Sequence, residues 1–185
     1  MNVLASHEPF LQSKAQLLVL PVSTDGNICH PVVARCKSLF FDNYDHYYKK
    51  AIVGELSLGD ALVCRLNKQL TGLGVQTGRA EYIANIVTQK SPTHPISTRM
   101  FVLCLKNLKP QLYELMRYKG IRRVAMLGSA LLVQQMTDEK DVMFLTAERV
   151  LQICYDVLGD VPKMTLEVHF GRDVPLPVLQ KTLEN

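Results

Sequence analysis

The stretch "QLLVLPVSTDGNICHPVVARCKSLFF", residues 16–41, indicates the class of fold. Its apolar first part predicts a buried strand over Leu17–Val22, and Pro31 stands where a helix running to Phe41 would begin. A strand, a short polar loop and a helix form the repeating unit of α/β proteins, and unpaired N–H groups gather at the start of such a helix. The loop is therefore a candidate phosphate-binding loop, although Gly26 is its single glycine.

The rest of the chain alternates short strand-like runs with helical ones, which favours an α/β fold. Strands are predicted at Asn2–Ala5, Leu17–Val22, Ala61–Leu66, Tyr82–Val87, Val124–Leu127 and Met164–Phe170. Helices are predicted at Pro31–Phe41, Tyr44–Val53, Ser97–Tyr118 and Thr146–Leu158, with turns at Gly54–Gly59 and Leu70–Arg79. We expect one domain over residues 1–185 with a C-terminal tail from about residue 171.

The third helix contains Pro110, which would ordinarily break it. At about 100° per residue, however, Pro110 falls on the same stripe as Arg99, Lys106 and Arg117, opposite the apolar residues. Water can satisfy the carbonyl that a proline on the exposed side frees. The pattern predicts one continuous, bent helix.

Composition narrows the class of protein further. The chain has 185 residues, of which 48% are hydrophobic and 21% charged, as in one globular domain. It lacks the run of about 18 apolar residues that spans a bilayer, so we expect a cytoplasmic protein without a membrane partner. Its five cysteines stand mostly in apolar segments without a CxxC or HExxH motif, which predicts buried thiols, no metal site and no cofactor.

Arg99, Lys106 and Arg117 belong to a basic region that runs to Arg123 and holds one acid, Glu114. Such a helix face either serves solubility or contacts nucleic acid or an acidic protein. The residues alone leave both interpretations open.

The segment "NYDHYYKKAIVGELSLGDALVC", residues 43–64, resembles the macro domain family. The similarity is to the branch of ADP-ribosyl-glutamate hydrolases and of bacterial antitoxins that remove ADP-ribose from DNA. "YIANIVTQK", residues 82–90, resembles that branch's strand with a Thr-Lys end, and "KGIRRVAMLG", residues 119–128, resembles its approach to a second phosphate loop. The resemblance implies a three-layer sandwich in which helices flank a mixed sheet of about six strands and ADP-ribose lies across the strand ends.

The resemblance also assigns ligand-binding positions. The acidic residue that receives adenine falls near Glu8, and the residue that faces the distal ribose falls at Ser23. The first phosphate loop falls at Gly26–Pro31 and starts with Gly26 and Asn27, and the second falls at Gly128–Leu132 and starts with Gly128 and Ser129. Both loops carry fewer glycines than the family pattern, and glycines let a backbone approach a pyrophosphate.

The positions that resemble the branch's catalytic lysine and aspartate read Gln89 and Leu132. A carboxamide cannot form a Schiff base, and a leucine cannot move a proton. The sequence therefore favours a divergent module, as in a bacterial or phage accessory protein, that binds an ADP-ribose-like nucleotide or a protein partner without hydrolysis. The alternative is an active ADP-ribosyl hydrolase that uses Lys90, Asp25 or His30.

Overall fold

The computed structural model describes residues 1–67, 80–132 and 145–174. Its strands are β1 (Asn2–Ser6), β2 (Leu17–Ser23), β3 (Ala61–Arg65), β4 (Tyr82–Gln89), β5 (Arg123–Leu127) and β6 (Thr165–His169). They form one sheet in the order β1-β6-β5-β2-β4-β3, parallel throughout except that β3 is antiparallel to β4. The mixed sheet is confirmed, and β2, β4 and β5 end at the same edge of it.

Helices cover both faces of this sheet. They are α1 (Pro31–Leu39), α2 (Phe41–Ile52), α3 (Thr98–Lys119) and α4 (Ala147–Leu158). Leu18 and Leu20 of β2 face the apolar cluster that contains α1 and α2, whereas Leu17 and Val19 face the cluster that contains α3 and α4. Because neighbouring residues of a strand face opposite sides, a strand buried in the middle layer is apolar throughout. The three-layer sandwich is confirmed.

Helix α3 is continuous through its proline, as predicted. Pro110 is exposed, while the opposite stripe, which includes Phe101, Leu105 and Leu112, is fully buried. The Ser97 hydroxyl accepts a hydrogen bond from the Met100 N–H at the start of the helix. The helix ends at Gly120, whose backbone adopts a φ of 70°.

Residues 57–60, here called the SLGD turn, lie between α2 and β3 and bond to β4 through the main chain. The Gly59 N–H donates to the Val87 carbonyl over 2.9 Å, and the Val87 N–H donates to the Asp60 carbonyl over 2.8 Å. The Asp60 carboxylate accepts the Ser57 N–H over 2.7 Å and closes the turn. This part of the motif that carries the family resemblance is thus hydrogen-bonded to the sheet.

Gly59 has two reasons to be glycine. Its φ is +96°, a backbone conformation that L side chains rarely adopt, and a Cβ there would lie 2.4 Å from the Leu103 side chain of α3. The Asn107 side chain of the same helix donates to the Gly59 carbonyl over 2.9 Å. The turn therefore also sets how closely α3 approaches the sheet.

The predicted boundaries agree with these elements within about three residues. The largest difference is at α1 and α2, because Phe40, with φ −127°, ends the first helix and caps the second, so that α2 begins at Phe41 rather than Tyr44. The predicted turn at Leu70–Arg79 and the tail after residue 174 lie outside the described residues. Within the described ranges, no helix has the length and hydropathy needed to cross a bilayer.

Candidate ligand-binding site

A cavity of about 250 Å³ opens at the edge where β2 and β4 end. Its walls are the end of β2, the segment of residues 24–30 that leads into α1, here called the β2–α1 loop, and the first turn of α1. Gln89, Pro92 and Ala130 close the remaining sides. The polar members of the lining are Ser23, Asn27, His30 and Gln89, and no Lys, Arg, Asp or Glu is among the lining residues. An ion that entered this cavity would lose hydration without meeting an opposite charge.

Asp25 holds the β2–α1 loop in shape. Its carboxylate accepts the Asn27 N–H over 3.0 Å and the Asn27 side-chain amide over 2.9 Å. It also lies 2.6 Å from the Ser23 hydroxyl, which shares its hydrogen with the Asn27 carbonyl at 3.0 Å. The loop is an Asx turn held by the side chains of Ser23, Asp25 and Asn27.

Helix α2 supports the loop from behind. The Tyr47 hydroxyl, in a side chain that is 1% exposed, donates to the Ser23 carbonyl over 2.7 Å. Gly26 has a φ of +78°, and a Cβ there would lie 2.9 Å from the Tyr48 ring. Gly26 therefore faces α2 and does not line the cavity.

Gln89 stands at the end of β4 with its backbone locked to the β2–α1 loop. The Thr24 N–H donates to the Gln89 carbonyl over 3.0 Å, and the Thr24 hydroxyl donates to the Lys90 carbonyl over 3.0 Å. The side-chain oxygen of Gln89 is buried and has no hydrogen-bond partner among the described residues. Leaving such a group unpaired costs about 1–3 kcal/mol, so a buried orphan of this kind calls for an explanation.

His30 caps α1 with its own ring. The Val32 N–H donates to His30 Nδ1 over 3.3 Å, and His30 Nε2 lies 3.4 Å from the Ser129 hydroxyl. Because Nδ1 accepts, the neutral ring carries its proton on Nε2 and donates it toward Ser129. His30 thus joins the two loops that follow β2 and β5.

The pKa values of His30 and Asp25 in the site are both lower than the ordinary values of these groups. Burial lowers the pKa of His30 below its ordinary value of 6.5, so the ring is neutral at pH 7. Partial burial raises the pKa of the Asp25 carboxyl, but the hydrogen bonds from Ser23 and Asn27 outweigh it, and that pKa stands below its ordinary value of 3.8. The site at neutral pH therefore holds a neutral imidazole and an ionised carboxylate that is already engaged.

The predicted ligand-binding residues divide into two groups. Ser23, Asn27 and Gln89 line the cavity, and Ser129 reaches it through His30. Glu8, Gly26 and Gly128 lie outside the lining. A Cβ at Gly128 would meet Val168 at 2.7 Å, so this glycine packs on β6, and Glu8 is exposed with its carbonyl 2.9 Å from His169 Nδ1.

The residues considered for catalysis are also separated. His30 lines the cavity, whereas Asp25 and Lys90 are exposed and outside its lining. Leu132 is partly buried and packs against the core on the α3 and α4 side. In the described parts of the chain, no three His, Cys, Asp or Glu side chains gather as a metal site would require.

Sequence reasoning missed a buried pair of amides next to the cavity. Asn43 of α2 and Asn85 of β4 are 4% and 1% exposed and exchange side-chain hydrogen bonds of 3.4 and 2.8 Å. Two features of the sequence could have indicated this pair. Asn43 stands four residues before Tyr47, on the buried stripe of α2, and Asn85 stands inside the otherwise apolar first part of β4. This pair fixes α2, and with it Tyr47, against the sheet.

The fold and the cavity at this edge of the sheet define a macro domain fold. No sequence model of a protein family matches the chain, and no curated protein sequence is significantly similar to it. Solved structures do match. The macrodomain of Thermus aquaticus DarG aligns with a TM-score of 0.67 and 22% identity, over 90% of this chain and 97% of that one.

Two further solved structures show the same fold. The macrodomain of Mycobacterium tuberculosis DarG aligns with a TM-score of 0.67 and 18% identity, over 90% of this chain and 96% of that one. Thermosipho africanus DarTG, solved in complex with ADP-ribose, aligns with a TM-score of 0.73 and 16% identity, over 100% of this chain and 46% of that one. The predicted macro domain fold is confirmed.

Proposed function

We propose that this chain is a divergent macro module that binds ADP-ribose or a closely related nucleotide. The cavity carries the proposal, because it lies at the carboxyl ends of parallel strands, where α/β sheets bind ligands. The β2–α1 loop and the start of the loop after β5 bound it, and His30 joins them. Thermosipho africanus DarTG, which shares the fold, was solved with ADP-ribose, and this supports the choice of ligand.

The module binds without the lysine-dependent hydrolysis of the branch it resembles. The carboxamide of Gln89 occupies the strand end, and Leu132 packs toward the core. Neither group forms a Schiff base or shuttles a proton at neutral pH. Lys90 is the next residue, but its exposed side chain lies outside the cavity lining.

Asp25 and His30, the other candidate catalytic residues, already make hydrogen bonds within the site. The Asp25 carboxylate already accepts bonds from Ser23 and Asn27. His30 Nδ1 already accepts the Val32 N–H. Both interactions favour a binding role over an active hydrolase.

Arg99, Lys106 and Arg117 are exposed on α3, on the opposite face of the sheet from α1. We treat them as a solvated helix face, and salt-sensitive binding of a nucleic acid or an acidic protein would instead assign them a contact. The described thiols are free, and burial raises the pKa of Cys36 and Cys104 to about 12, so these two thiols are weakly reactive. A cytoplasmic location stays a prediction. An accessory role in a bacterium or phage remains a prediction.

Isothermal titration calorimetry with ADP-ribose tests the proposal. The first turn of α1 offers few free amides, since Pro31 has none and that of Val32 is capped by His30. Each hydrogen bond lost to a charged oxygen costs about 1.5–3 kcal/mol, so two fewer weaken binding by roughly two to four decades. We therefore expect saturable binding with a dissociation constant above about 100 μM.

Two tryptophan variants control for the location. Ile28 lines the cavity, and Ile28→Trp should fill it and abolish binding. Ile52 is 61% exposed on α2, and Ile52→Trp should bind as the wild type does. An absence of heat at millimolar ADP-ribose, or equal binding by both variants, would refute the proposal.

Hydrolysis is measured separately. Incubation with ADP-ribosylated DNA and with ADP-ribosylated protein should release no ADP-ribose above the uncatalysed rate. Robust release that Lys90→Ala abolishes would overturn the noncatalytic assignment.

A further inference from the structure

The outward side of helix α2 carries a row of apolar side chains. Eight large apolar side chains are exposed in the described parts of the chain, and three of them belong to this one helix: Phe41 at 62%, Tyr48 at 40% and Ile52 at 61%. At about 100° per residue, these three fall within about 40° of one another around the helix axis. Apolar side chains exposed singly are normal, whereas a contiguous row of them indicates a site of protein contact.

A stacked pair of rings makes one side of this row rigid. The rings of Tyr44 and Tyr48, one turn apart, stack with their centroids 5.5 Å apart and their planes 21° from parallel. The Lys37 ammonium of α1 lies 4.3 Å from the centroid of the Tyr44 ring. A side chain that is already ordered loses little conformational freedom when a partner binds. The row is therefore prearranged for contact.

The charged side chains beside the row are ordered along the helix. Asp42 and Asp45 lie in its first half and Lys49 lies in its second half, all about 40–100° from Phe41 on the side away from the buried stripe. Lys49 Nζ lies 2.6 Å from the Asp45 carboxylate, but the Lys49 side chain is 71% exposed and can reach a second carboxylate. This flank is acidic at one end and basic at the other.

Such a flank is complementary to a second copy of itself in the antiparallel orientation. In a parallel pair of α2 helices, Asp45 would face the partner's Asp45, and like charges repel. In an antiparallel pair that places Phe41 against the partner's Ile52, Asp45 comes next to the partner's Lys49. A two-fold axis makes each of these contacts twice, because the same surface serves both subunits. Charges beside an apolar seam set the orientation of paired helices in this way.

We infer that α2 is a self-association surface, on which two copies of this chain pair as a two-fold symmetric dimer with antiparallel α2 helices. Helix α2 has 12 residues, so the interface is small, and we expect a dissociation constant of about 10–100 μM. The inference is independent of the proposed function, because Phe41, Asp45 and Ile52 lie outside the lining of the cavity. Self-association and ADP-ribose binding are thus separate measurements.

Analytical ultracentrifugation of the full chain tests the apolar contact. The chain has a mass of 20.8 kDa, and its average mass should rise towards twice that value between about 1 μM and 1 mM protein. Phe41→Asp places a carboxylate in both symmetric contacts and should weaken association at least about 30-fold. An aspartate in the first turn suits a helix, so this variant should fold. Tyr155→Asp on α4, where the tyrosine is 52% exposed, should associate as the wild type does.

Charge reversal tests the orientation. Asp45→Lys brings two lysines together across the interface, and Lys49→Asp brings two carboxylates together, so each variant should self-associate about tenfold more weakly than the wild type. An equal mixture of the two variants restores both ion pairs and should associate as the wild type does. The repulsion within each variant chain persists in the mixture, so this recovery reports contact between chains. Lys106→Asp, an exposed lysine of α3 on the other face of the sheet, is the control and should associate as the wild type does.

Each experiment has an outcome that would overturn the inference. A monomer mass at 1 mM protein, or association of Phe41→Asp equal to that of the wild type, would reject α2 as a self-association surface. Equal association of the wild type and of both charge variants would reject the antiparallel pairing, and so would a mixture that associates no better than either variant alone. Circular dichroism of each variant checks that it is folded.

Discussion

The SLGD turn and the β2–α1 loop are built from the same two devices but are fastened differently. Each has a glycine at positive φ, Gly59 at +96° in the turn and Gly26 at +78° in the loop. Each also has a carboxylate that accepts a nearby N–H, that of Asp60 in the turn and that of Asp25 in the loop. In the turn, the main chain of Gly59 bonds to β4 and to the Asn107 side chain of α3. In the loop, one main-chain bond, from the Thr24 N–H to the Gln89 carbonyl, is supplemented by the side-chain bonds that Asp25 makes with Ser23 and Asn27.

The difference teaches why one segment is recognisable in sequence and the other is not. Main-chain bonds form with almost any residue, so the constraint in the turn falls on the glycine and on one carboxylate. The loop depends on a particular set of side chains, and another set can hold another shape. A segment fastened in the second way can change its ligand chemistry while the fold stays the same.

The largest effect that tests this comparison is expected when Gly59 and Gly26 are each replaced by alanine. Gly59→Ala combines a strained backbone, about 1–2 kcal/mol, with a contact of 2.4 Å to Leu103, another 1–3 kcal/mol or so. We expect it to lower the free energy of unfolding by about 2–5 kcal/mol, and Gly26→Ala by less, since the Tyr48 ring is 2.9 Å away and 40% exposed. Urea unfolding followed by circular dichroism measures both.

Gly54 supplies a matched control for this experiment. Its φ is +72°, but nothing lies within 4 Å of the position of a Cβ. Gly54→Ala therefore reports the backbone strain alone, about 1–2 kcal/mol. Should Gly59→Ala cost no more than Gly54→Ala, the contact with α3 would not be what constrains the turn.

The two carboxylates should separate stability from binding. Asp60→Ala removes the bond to the Ser57 N–H and should lower stability by about 1 kcal/mol without changing ADP-ribose affinity. Asp25→Ala frees Ser23 and Asn27, both of which line the cavity, and should weaken ADP-ribose binding by about three- to tenfold. Unfolding and calorimetry on the same samples provide the test, and equal effects of both variants on affinity would contradict it.

The smallest expected effect is the pH dependence that His30 gives to the loop. Its pKa in the folded state is below the ordinary value of 6.5, so the unfolded chain binds more protons in the window beneath that value. The stability from His30 is therefore complete above about pH 6.5 and decreases as the pH falls below it. His30→Asn retains a capping residue that does not titrate, so its stability should fall less between pH 7.5 and 5.5. Urea unfolding of the wild type and of His30→Asn at several pH values measures this difference. Equal losses of stability in the two proteins would contradict the prediction.

Most of the fold could be predicted from the sequence because its signals are local. Strand β2 is an unbroken apolar run, α1 begins with a proline, and Pro110 falls on the exposed stripe of α3. The helical spacing of Phe40, Tyr44 and Tyr47 predicts one stripe that packs in the core, and Phe40 and Tyr47 are buried while Tyr44 is partly buried. Patterns of two to four residues carry such information on their own.

The site was only partly predictable because segments distant in sequence build it. Ser23 and Gln89 could be placed there because strand ends meet at one edge. Sequence alone did not show that Gly26 and Gly128 turn away from the cavity, because this depends on Tyr48 and Val168 occupying the space beside them. The pairing of Asn43 with Asn85, 42 residues apart, is likewise a property of the packed layers.

The order of the strands in the sheet also determines when β1 can pair with its neighbour during synthesis. Strand β1 pairs with β6, Asn2 opposite Thr165, so 163 residues separate the two partners. Ribosomes make chains from the amino end, so β2, β4 and β5, which hold the cavity, can emerge and pair while β1 still has no neighbour. The site of this molecule is thus assembled from segments that lie between β1 and β6, and β1 is made before these segments but is among the last strands that the sheet can receive.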